Sequence, residues 1–392
     1  MLPPRRVLTA SDSRNNKTGS VGRRPKAGLL LGFIDGQPVC MSPRARSLPT
    51  ILVGAAGTGK TTCMEAGIRQ DIDASRGACV IDPMGALVKR LLDYYCYRKA
   101  IGCRVPKIKV FDPSSGEWIL PYNPFVRRSG DLAVQVDRRV QAVLRVWRQH
   151  GSDETPRLEK WLRAIFTVLI EGNLTILEAE HLITLHADEL RAFFLRAVTD
   201  SLIRSRLEQL EHYKPSDFLM HLESAENRLM RFLTSTTIRR TMGTGANALD
   251  FRTIMDDGEL LLVNLQPSDW LSLEQQRLFG TLLLTEFFET ALTRPTGARP
   301  YYLWVDEAAR FVTPELGMAF ETCRQKGLHL VLAFQPSRLP HHRTRVSGQR
   351  VGVARRWAVV AAAVVSRETA VYRSRPHPWP ELSRTDRPFH PD

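Results

Sequence analysis

Apolar and polar positions follow two rhythms along this chain, and the change of rhythm divides it into blocks. Short, nearly continuous apolar runs separated by helix-compatible segments occur in residues 27–128 and again in residues 249–340. Such runs are typical of a mostly parallel sheet that helices cover on both faces. Between them, residues 129–248 carry apolar side chains at helical spacing. We therefore expect an α/β protein with an all-helical inserted domain.

The predicted elements begin with two short strands that flank Asp35-Gly36, a dipeptide that predicts a tight hairpin turn. Further strands are predicted at 51–53, 77–81, 107–111, 259–265, 301–305 and 328–334. Helices are predicted at 61–73, 86–97, 157–170, 188–213, 217–233, 271–292 and 314–326, and Thr175 with Glu178 forms a capping-box pattern ahead of another helix. The alternation of strands and helices favours a parallel sheet.

The charge of the chain is concentrated at its two ends. The formal net charge is +14, but residues 1–26 carry seven Lys or Arg against one Asp, and residues 338–392 carry eleven Arg against four acids. Only about +1 remains for residues 27–337. The basic balance is therefore weak evidence for a nucleic-acid groove in the core. Residues 1–26, which have few large apolar side chains, are predicted to be a disordered basic tail.

The sequence contains no membrane-spanning or disulfide pattern. No apolar run approaches the roughly 18 residues that span a bilayer, and the N-terminus lacks the apolar block of a secretory signal. The six cysteines include no C-x-x-C pair, which argues against a zinc site or a disulfide framework. A cytoplasmic location is expected, with peripheral association at the inner membrane left open.

A candidate nucleotide site lies at residues 51–61. An apolar run leads directly into Gly-x-x-x-x-Gly-Lys-Thr, and a predicted helix follows. Glycines let backbone N–H groups curl around phosphate oxygens at the positive end of a helix. The predicted ATP-binding residues are Gly54, Ala55, Ala56, Gly57, Thr58, Gly59, Lys60, Thr61 and Thr62. Lys60 can reach the β- and γ-phosphates, and the Thr61 hydroxyl can hold Mg²⁺.

The second half of the predicted site follows the strand at 301–305. Asp306 is predicted to hold Mg²⁺ with Thr61, and Glu307 to orient and polarise the attacking water. Acids in the first turn of a helix would look the same in sequence. Asp82 also ends a predicted strand, and here a ligand role and a helix-capping role are equally compatible with the sequence.

Two more residues complete the candidate site. Gln335 ends the strand after Glu307, where its carboxamide can contact the γ-phosphate and the water, or simply cap the loop. Arg324 lies near the end of a predicted helix, where it can favour the negative end of the helix dipole. It can also reach a neighbouring subunit's γ-phosphate as an arginine finger.

The order of these motifs resembles the FtsK/HerA superfamily of DNA-pumping ATPases, and within it the conjugative coupling ATPases of type IV secretion (TraG/TraD-like). The matching segments are the hairpin, Gly54 to Thr61, Val80-Ile81-Asp82-Pro83-x-Gly85, Asn123-Pro124-Phe125, the helical insertion, Leu249-Asp250-Phe251-Arg252, Leu260 to Leu265, Val305-Asp306-Glu307, Arg324-x-x-Gly327 and Gln335. Met84 and Ala86 stand where such proteins commonly show Lys and Asp, so the resemblance assigns no role in that loop beyond Asp82. The N-terminal membrane anchor of many coupling proteins is also missing.

The resemblance implies a RecA-like motor core, 27–128 and 249–340, that works as a homo-hexameric ring and drives DNA through its pore with ATP and Mg²⁺. It also implies that Lys60 and Thr61 bind nucleotide and metal, that Asp306 and Glu307 hydrolyse, that Gln335 senses and that Arg324 acts in trans. Expected partners are DNA and components of a type IV secretion system or relaxosome.

Two other functions fit the same residues. One is a HerA-like motor for DNA-end processing, which neighbouring nuclease genes would favour over relaxase genes. The other is a truncated, non-catalytic nucleotide-binding protein. The Arg- and Pro-rich tail at 341–392 bears on the second, because it lacks strand or helix periodicity outside 357–365. We expect a shifted reading frame or a decayed gene near residue 340, which would leave one edge of the sheet uncovered.

Overall fold

The core of the protein is a sheet of seven parallel strands. The computed structural model describes residues 28–34, 36–148, 156–185, 187–311 and 322–335, and the backbone of 358–361. The sheet strands are β3 (Thr50–Val53), β4 (Gly77–Asp82), β5 (Ile108–Phe111), β6 (Leu260–Asn264), β7 (Tyr301–Val305), β8 (Leu328–Phe334) and β9 (Ala358–Ala361). Their spatial order is β5-β6-β4-β7-β8-β3-β9, and every pairing in it is parallel.

An antiparallel hairpin precedes the sheet. Its strands are β1 (Leu29–Ile34) and β2 (Gln37–Met41), paired from Leu29 with Met41 to Ile34 with Gln37. Gly36 lies in the turn with φ 77°, a left-handed conformation that suits glycine, and Asp35 lies outside the described residues. The predicted hairpin is confirmed.

Helices cover both faces of the sheet. Those of the core are α1 (Pro43–Arg46), α2 (Lys60–Asp73), α3 (Ala86–Ala100), α11 (Phe251–Asp257) and α12 (Leu273–Thr293). Between β5 and β6, the described residues form a series of helices without a strand: α4 (Leu132–Arg148), α5 (Pro156–Glu171), α6 (Ala179–Ile183), α7 (Asp188–Leu195), α8 (Ser201–Glu208), α9 (Pro215–Leu233) and α10 (Thr236–Met242). Short 3₁₀ turns occur at Ile176–Glu178, Gln209–His212 and Ala308–Arg310.

The side chains of β4 alternate between two apolar clusters, one on each face of the sheet. Cys79 and Ile81 pack into an apolar cluster with α12 and the helical insertion, whereas Ala78 and Val80 pack into a second cluster with α2 and α3. All six residues of the strand are buried. Burial on both faces is what a continuous apolar strand requires, so the predicted α/β class is confirmed.

The topology brings distant parts of the chain to one edge of the sheet. β8 lies between β3 and β7, with Val53 level with Phe334 and Val305 level with Leu332. Parallel strands end at the same edge, where α/β proteins bind ligands. The phosphate loop after β3 and the acids after β7 therefore face the same space.

A buried ion cluster joins the helical insertion to the core. Arg139 of α4 donates from Nη2 to Glu286 Oε1 and from Nη1 to Glu289 Oε1, each at 2.7 Å, and from Nε to the Pro124 carbonyl at 2.8 Å. Both glutamates lie on α12. Arg128 adds a second cation to Glu286 at 2.7 Å.

The structure corrects two expectations. The helix predicted at 188–213 is broken into α7 and α8, because Asp200 accepts hydrogen bonds from the backbone N–H groups of Leu202 and Ile203 and starts a new helix. One edge of the sheet was expected to be uncovered because the chain after residue 340 lacks strand periodicity, but β9 pairs with β3 from Thr50–Ala358 to Val53–Ala361. Backbone pairing needs only an extended segment, and Ala-Val-Val-Ala supplies one. The proposed frame shift stays a prediction, and the part of the 314–326 helix before residue 322 lies outside the described residues.

Candidate active site

The phosphate loop joins β3 to α2. Gly57 and Gly59 have φ of 78° and 89°, values that L side chains rarely adopt. Gly59 directly precedes α2, and no side chain caps the first turn of this helix. Its backbone N–H groups therefore face the loop, as anion binding at a helix N-terminus requires. The predicted nucleotide-binding residues, Gly54 to Thr62, form this loop and the start of α2.

Lys60 is folded over its own loop. Its Nζ donates to the carbonyls of Gly54 and Ala55 at 2.6 and 2.9 Å, and its side chain is 6% exposed. The ammonium group is thus held at the concave side of the loop. Because an ammonium group donates up to three hydrogen bonds, Lys60 can bond a phosphate oxygen beside these two carbonyl acceptors.

The side chains of Thr61 and Asp306 meet at the edge of the sheet where β3 and β7 end. The Thr61 hydroxyl donates to Asp306 Oδ2 at 3.1 Å, and the backbone N–H of Asp306 donates to the carbonyl of Ile81 at 3.0 Å. Asp306 is 4% exposed. The structure therefore brings together the two side chains that the sequence predicts as metal ligands.

Burial disfavours the charge of Asp306. Desolvation raises the pKa of this carboxyl group, and the negative charges of Asp82 and Glu307 act in the same direction. Hydrogen bonds from the Glu307 backbone N–H, at 2.9 Å, and from the Thr61 hydroxyl oppose this rise in pKa but do not cancel it. A cation placed beside Asp306 would offset the like charges.

The donor set at this point fits Mg²⁺. This ion takes one or two protein oxygens together with phosphates and water, so it does not need an all-protein cage. Thr61 and Asp306 supply such oxygens. Within the described ranges, no group of three His, Cys, Asp or Glu side chains converges on a metal position, and a Mg²⁺ site of this kind requires none.

Glu307 follows Asp306 in an unusual backbone conformation. Its φ of 46° and ψ of 44° lie in the left-handed region, which is strained for a residue with a side chain. Glu307 Oε1 accepts a hydrogen bond from Gln335 Nε2 at 2.8 Å. The predicted water-orienting and sensing residues are therefore in direct contact.

Asp82 caps a helix. Its Oδ1 accepts from the backbone N–H of Met84 at 2.8 Å, and its Oδ2 accepts from those of Leu87 and Val88 at 2.8 and 3.1 Å. These bonds satisfy the start of α3. Of the two roles left open by the sequence, the structure shows the capping role, although the charge of Asp82 is close enough to raise the pKa of Asp306.

Arg324 does not join the pocket of its own chain. It precedes β8, so it lies at the edge of the sheet opposite the phosphate loop. Its side chain is exposed, and its Nε donates to Ser47 Oγ at 3.3 Å. A helix-end arginine and an arginine that contacts a neighbouring subunit would both have this placement.

The sequence did not single out a buried polar network behind the acids. Gln276 of α12 accepts from Arg310 Nη1 at 3.0 Å and donates to the carbonyls of Pro83 and Leu265 at 2.9 and 2.7 Å. Gln276 looks like an ordinary first-turn residue of an apolar helix, and its partners lie far away in the sequence. The only available signal is a polar side chain at a position that points into the sheet.

Comparison with known families gives a match over residues 36–129, to the family described as type IV secretion-system coupling protein DNA-binding domain. A search of curated proteins finds no match. No helix in the described ranges combines the length and apolar character that a membrane crossing requires.

Solved structures share the fold at low sequence identity. The bacterial conjugative coupling protein TrwBdeltaN70 matches with a TM-score of 0.54 and 17% identity, over 80% of this chain and 66% of that chain. TrwB in complex with ADP and Mg²⁺ gives 0.53 and 17%, over 80% and 68%. VirB4 of Thermoanaerobacter pseudethanolicus gives 0.50 and 16%, over 80% and 78%. The chain spans about two thirds of the coupling-protein chains.

These matches agree with the order of motifs along the sequence and with the site assembled at the edge of the sheet. The protein is therefore similar to type IV secretion coupling proteins, in sequence over residues 36–129 and in fold over 80% of the chain.

Proposed function

We propose that this protein is an ATP-hydrolysing motor that moves DNA during conjugative transfer through a type IV secretion system. The contact between Thr61 and Asp306 carries the proposal. It joins a complete phosphate loop to an acidic strand end, and Glu307 follows beside it. Similarity to coupling proteins supports the DNA substrate, because the family matched at 36–129 is described as a DNA-binding domain.

Each side chain has a role in this proposal. Gly54 to Thr62 and the Lys60 ammonium group hold the phosphates, while Thr61 and Asp306 hold Mg²⁺. Glu307 orients and polarises the attacking water, and Gln335, bonded to it, senses the γ-phosphate. When bound, Mg²⁺ would neutralise charge on the phosphate oxygens. Phosphoryl transfer depends mainly on such positioning and charge stabilisation.

The proposal includes a homo-hexameric ring. Arg324, exposed and remote from its own phosphate loop, would contact the γ-phosphate of a neighbouring subunit. The ring would act in the cytoplasm at the inner face of the membrane, where relaxosome and secretion components deliver DNA. The exposed position of Arg324 supports action in trans, because a side chain that served its own site would lie beside it.

Steady-state ATP hydrolysis, measured with and without DNA, tests this function. We expect turnover in the wild type that rises with DNA, and no turnover in Lys60→Ala, because the variant lacks the positive charge that stabilises the transferred phosphate. Lys89→Ala is the matched control, because it removes an exposed lysine of α3. A wild type that binds ATP without hydrolysing it would refute the motor and favour a non-catalytic nucleotide-binding protein.

A further inference from the structure

Gln276 lies where three segments of the active-site edge come together. It is fully buried near the start of α12. Its Nε2 donates to the carbonyl of Pro83, just after β4, and to that of Leu265, just after β6. Its Oε1 accepts from Arg310, in the turn after β7. One side chain therefore connects the ends of three neighbouring strands.

The hydrogen bonds of this carboxamide use both of its N–H groups and its oxygen. A glutamine has two donors and one acceptor oxygen, and here each has a partner. Loss of the carboxamide would leave the Pro83 and Leu265 carbonyls and the Arg310 guanidinium without these partners. Buried polar groups left without partners are costly, so the network fixes the geometry of the groups it joins.

Arg310 and Glu307 belong to the same turn after β7. The Arg310 N–H donates to the Glu307 carbonyl at 2.9 Å, and the Phe311 N–H donates to that of Ala308 at 3.0 Å. Glu307 itself is in the left-handed region. A strained residue keeps such a conformation only where its surroundings fix it.

A second contact brings α12 against the same turn. A Cβ added to Gly280 would lie 2.3 Å from the ring of Phe311. The absence of a side chain at Gly280 therefore lets α12 approach closely. One helical turn separates Gly280 from Gln276, so both contacts come from the same side of the helix.

We propose that Gln276 is a positioning residue for ATP hydrolysis, which acts through Arg310 to hold the 306–311 turn and so direct the Glu307 carboxylate. The proposal rests on the proposed function. It does not involve nucleotide binding, because the hydrogen bonds of the Gln276 side chain in the described structure go to Pro83, Leu265 and Arg310 and not to the phosphate loop. It therefore predicts separate effects on turnover and on nucleotide affinity.

Three variants test the proposal. Gln276→Leu removes the carboxamide with little change in size, and Arg310→Met removes its partner in the turn. Thr285→Val is the matched control, because Thr285 is buried on the same helix and, among the described residues, its hydroxyl bonds to the Thr281 carbonyl alone. Each variant is checked for folding by its melting temperature.

Amide hydrogen exchange in a peptide covering 306–311 is the first measurement. We expect exchange about tenfold faster in Gln276→Leu than in wild type, with α2 unchanged, because the turn loses its anchor. Thr285→Val should exchange at the wild-type rate. Equal exchange in Gln276→Leu and wild type would overturn the proposal, whether or not the wild type hydrolyses ATP.

Turnover and affinity are the second measurement. We expect kcat to fall about tenfold or more in Gln276→Leu while the Kd for ATP stays within about twofold, because only the water-orienting group is displaced. The double variant Gln276→Leu/Arg310→Met should have the same kcat as the less active of the two single variants, because both substitutions break the same connection. Unchanged kcat, or additive losses, would overturn the proposal. An inactive wild type would refute the motor alone, and the exchange result would still decide whether Gln276 holds the turn.

Discussion

Asp306 combines its proposed role as a Mg²⁺ ligand with a cost to folding stability. Its carboxyl group is buried beside Asp82 and Glu307, and burial with like charge raises its pKa. The folded state therefore binds a proton at Asp306 more readily than the unfolded state does. Between the unfolded and folded pKa values, stability falls as the pH rises, and above both the full penalty remains.

Asp306→Asn should accordingly raise the melting temperature at neutral pH while it stops hydrolysis. The neutral amide keeps its oxygen for the Glu307 backbone N–H, its NH2 group can donate to the Thr61 hydroxyl oxygen, and the unfavourable charge is removed. The gain should shrink as the pH falls toward the ordinary aspartate pKa of about 4. Calorimetry across this pH range measures it, with exposed Asp269→Asn as the control. A variant less stable than wild type at pH 7 would contradict this account.

Glu307→Gln should separate binding from hydrolysis. The amide keeps the size of the side chain but polarises water poorly, so we expect kcat to fall roughly 100-fold or more with ATP affinity retained. Single-turnover kinetics and equilibrium binding measure the two quantities. Glu117→Gln, which changes an exposed glutamate, should behave as wild type. Hydrolysis by Glu307→Gln at the native rate would remove Glu307 from the mechanism.

At the scale of elements, local patterns predicted the strands and the phosphate loop, whereas the pairings across the chain needed the structure. The glycines and the apolar run at β3 carry their signal within eleven residues. The role of Asp82 could not be predicted from the sequence, because a helix cap and a ligand of the site need the same residue type before the same helix. The Arg139 cluster was also missed, because its partner Glu286 lies 147 positions away and no local period marks such a pair.

The Arg139 cluster predicts a strong dependence of stability on one arginine. Burial raises the pKa of Glu286, and the charges of Arg139 and Arg128 oppose that rise. Arg139→Met should destabilise the protein by about 3–5 kcal/mol, because the buried carboxylates of Glu286 and Glu289 lose the cation that they share. Denaturant unfolding measures this, with Arg163→Met, whose ion pairs are more exposed, as the control at about 1 kcal/mol or less. Adding Glu286→Gln to Arg139→Met should recover part of the loss, and no recovery would argue against a charge effect.

At the scale of the whole molecule, the position of Arg324 makes a prediction about assembly. In the proposed ring, each site needs Lys60 from its own subunit and Arg324 from a neighbouring subunit. Arg324→Ala and Lys60→Ala should therefore each be inactive alone. Mixed together, they should recover some hydrolysis at interfaces where a Lys60→Ala subunit supplies Arg324. Light scattering must show that mixed rings form. Mixed rings without any recovery would contradict action in trans.

The separation of the two halves of the candidate active site along the chain also bears on how the protein is made. Thr61 and Asp306 lie 245 positions apart, so at about 5–20 residues per second the carboxylate is synthesised roughly 12 to 50 seconds after the hydroxyl. During this interval β3 lacks both of its neighbours, because β8 and β9 follow still later. The nascent chain therefore carries an apolar strand with two open edges, which is a target for chaperones and for aggregation. The pace of translation should consequently influence how much active protein a cell obtains.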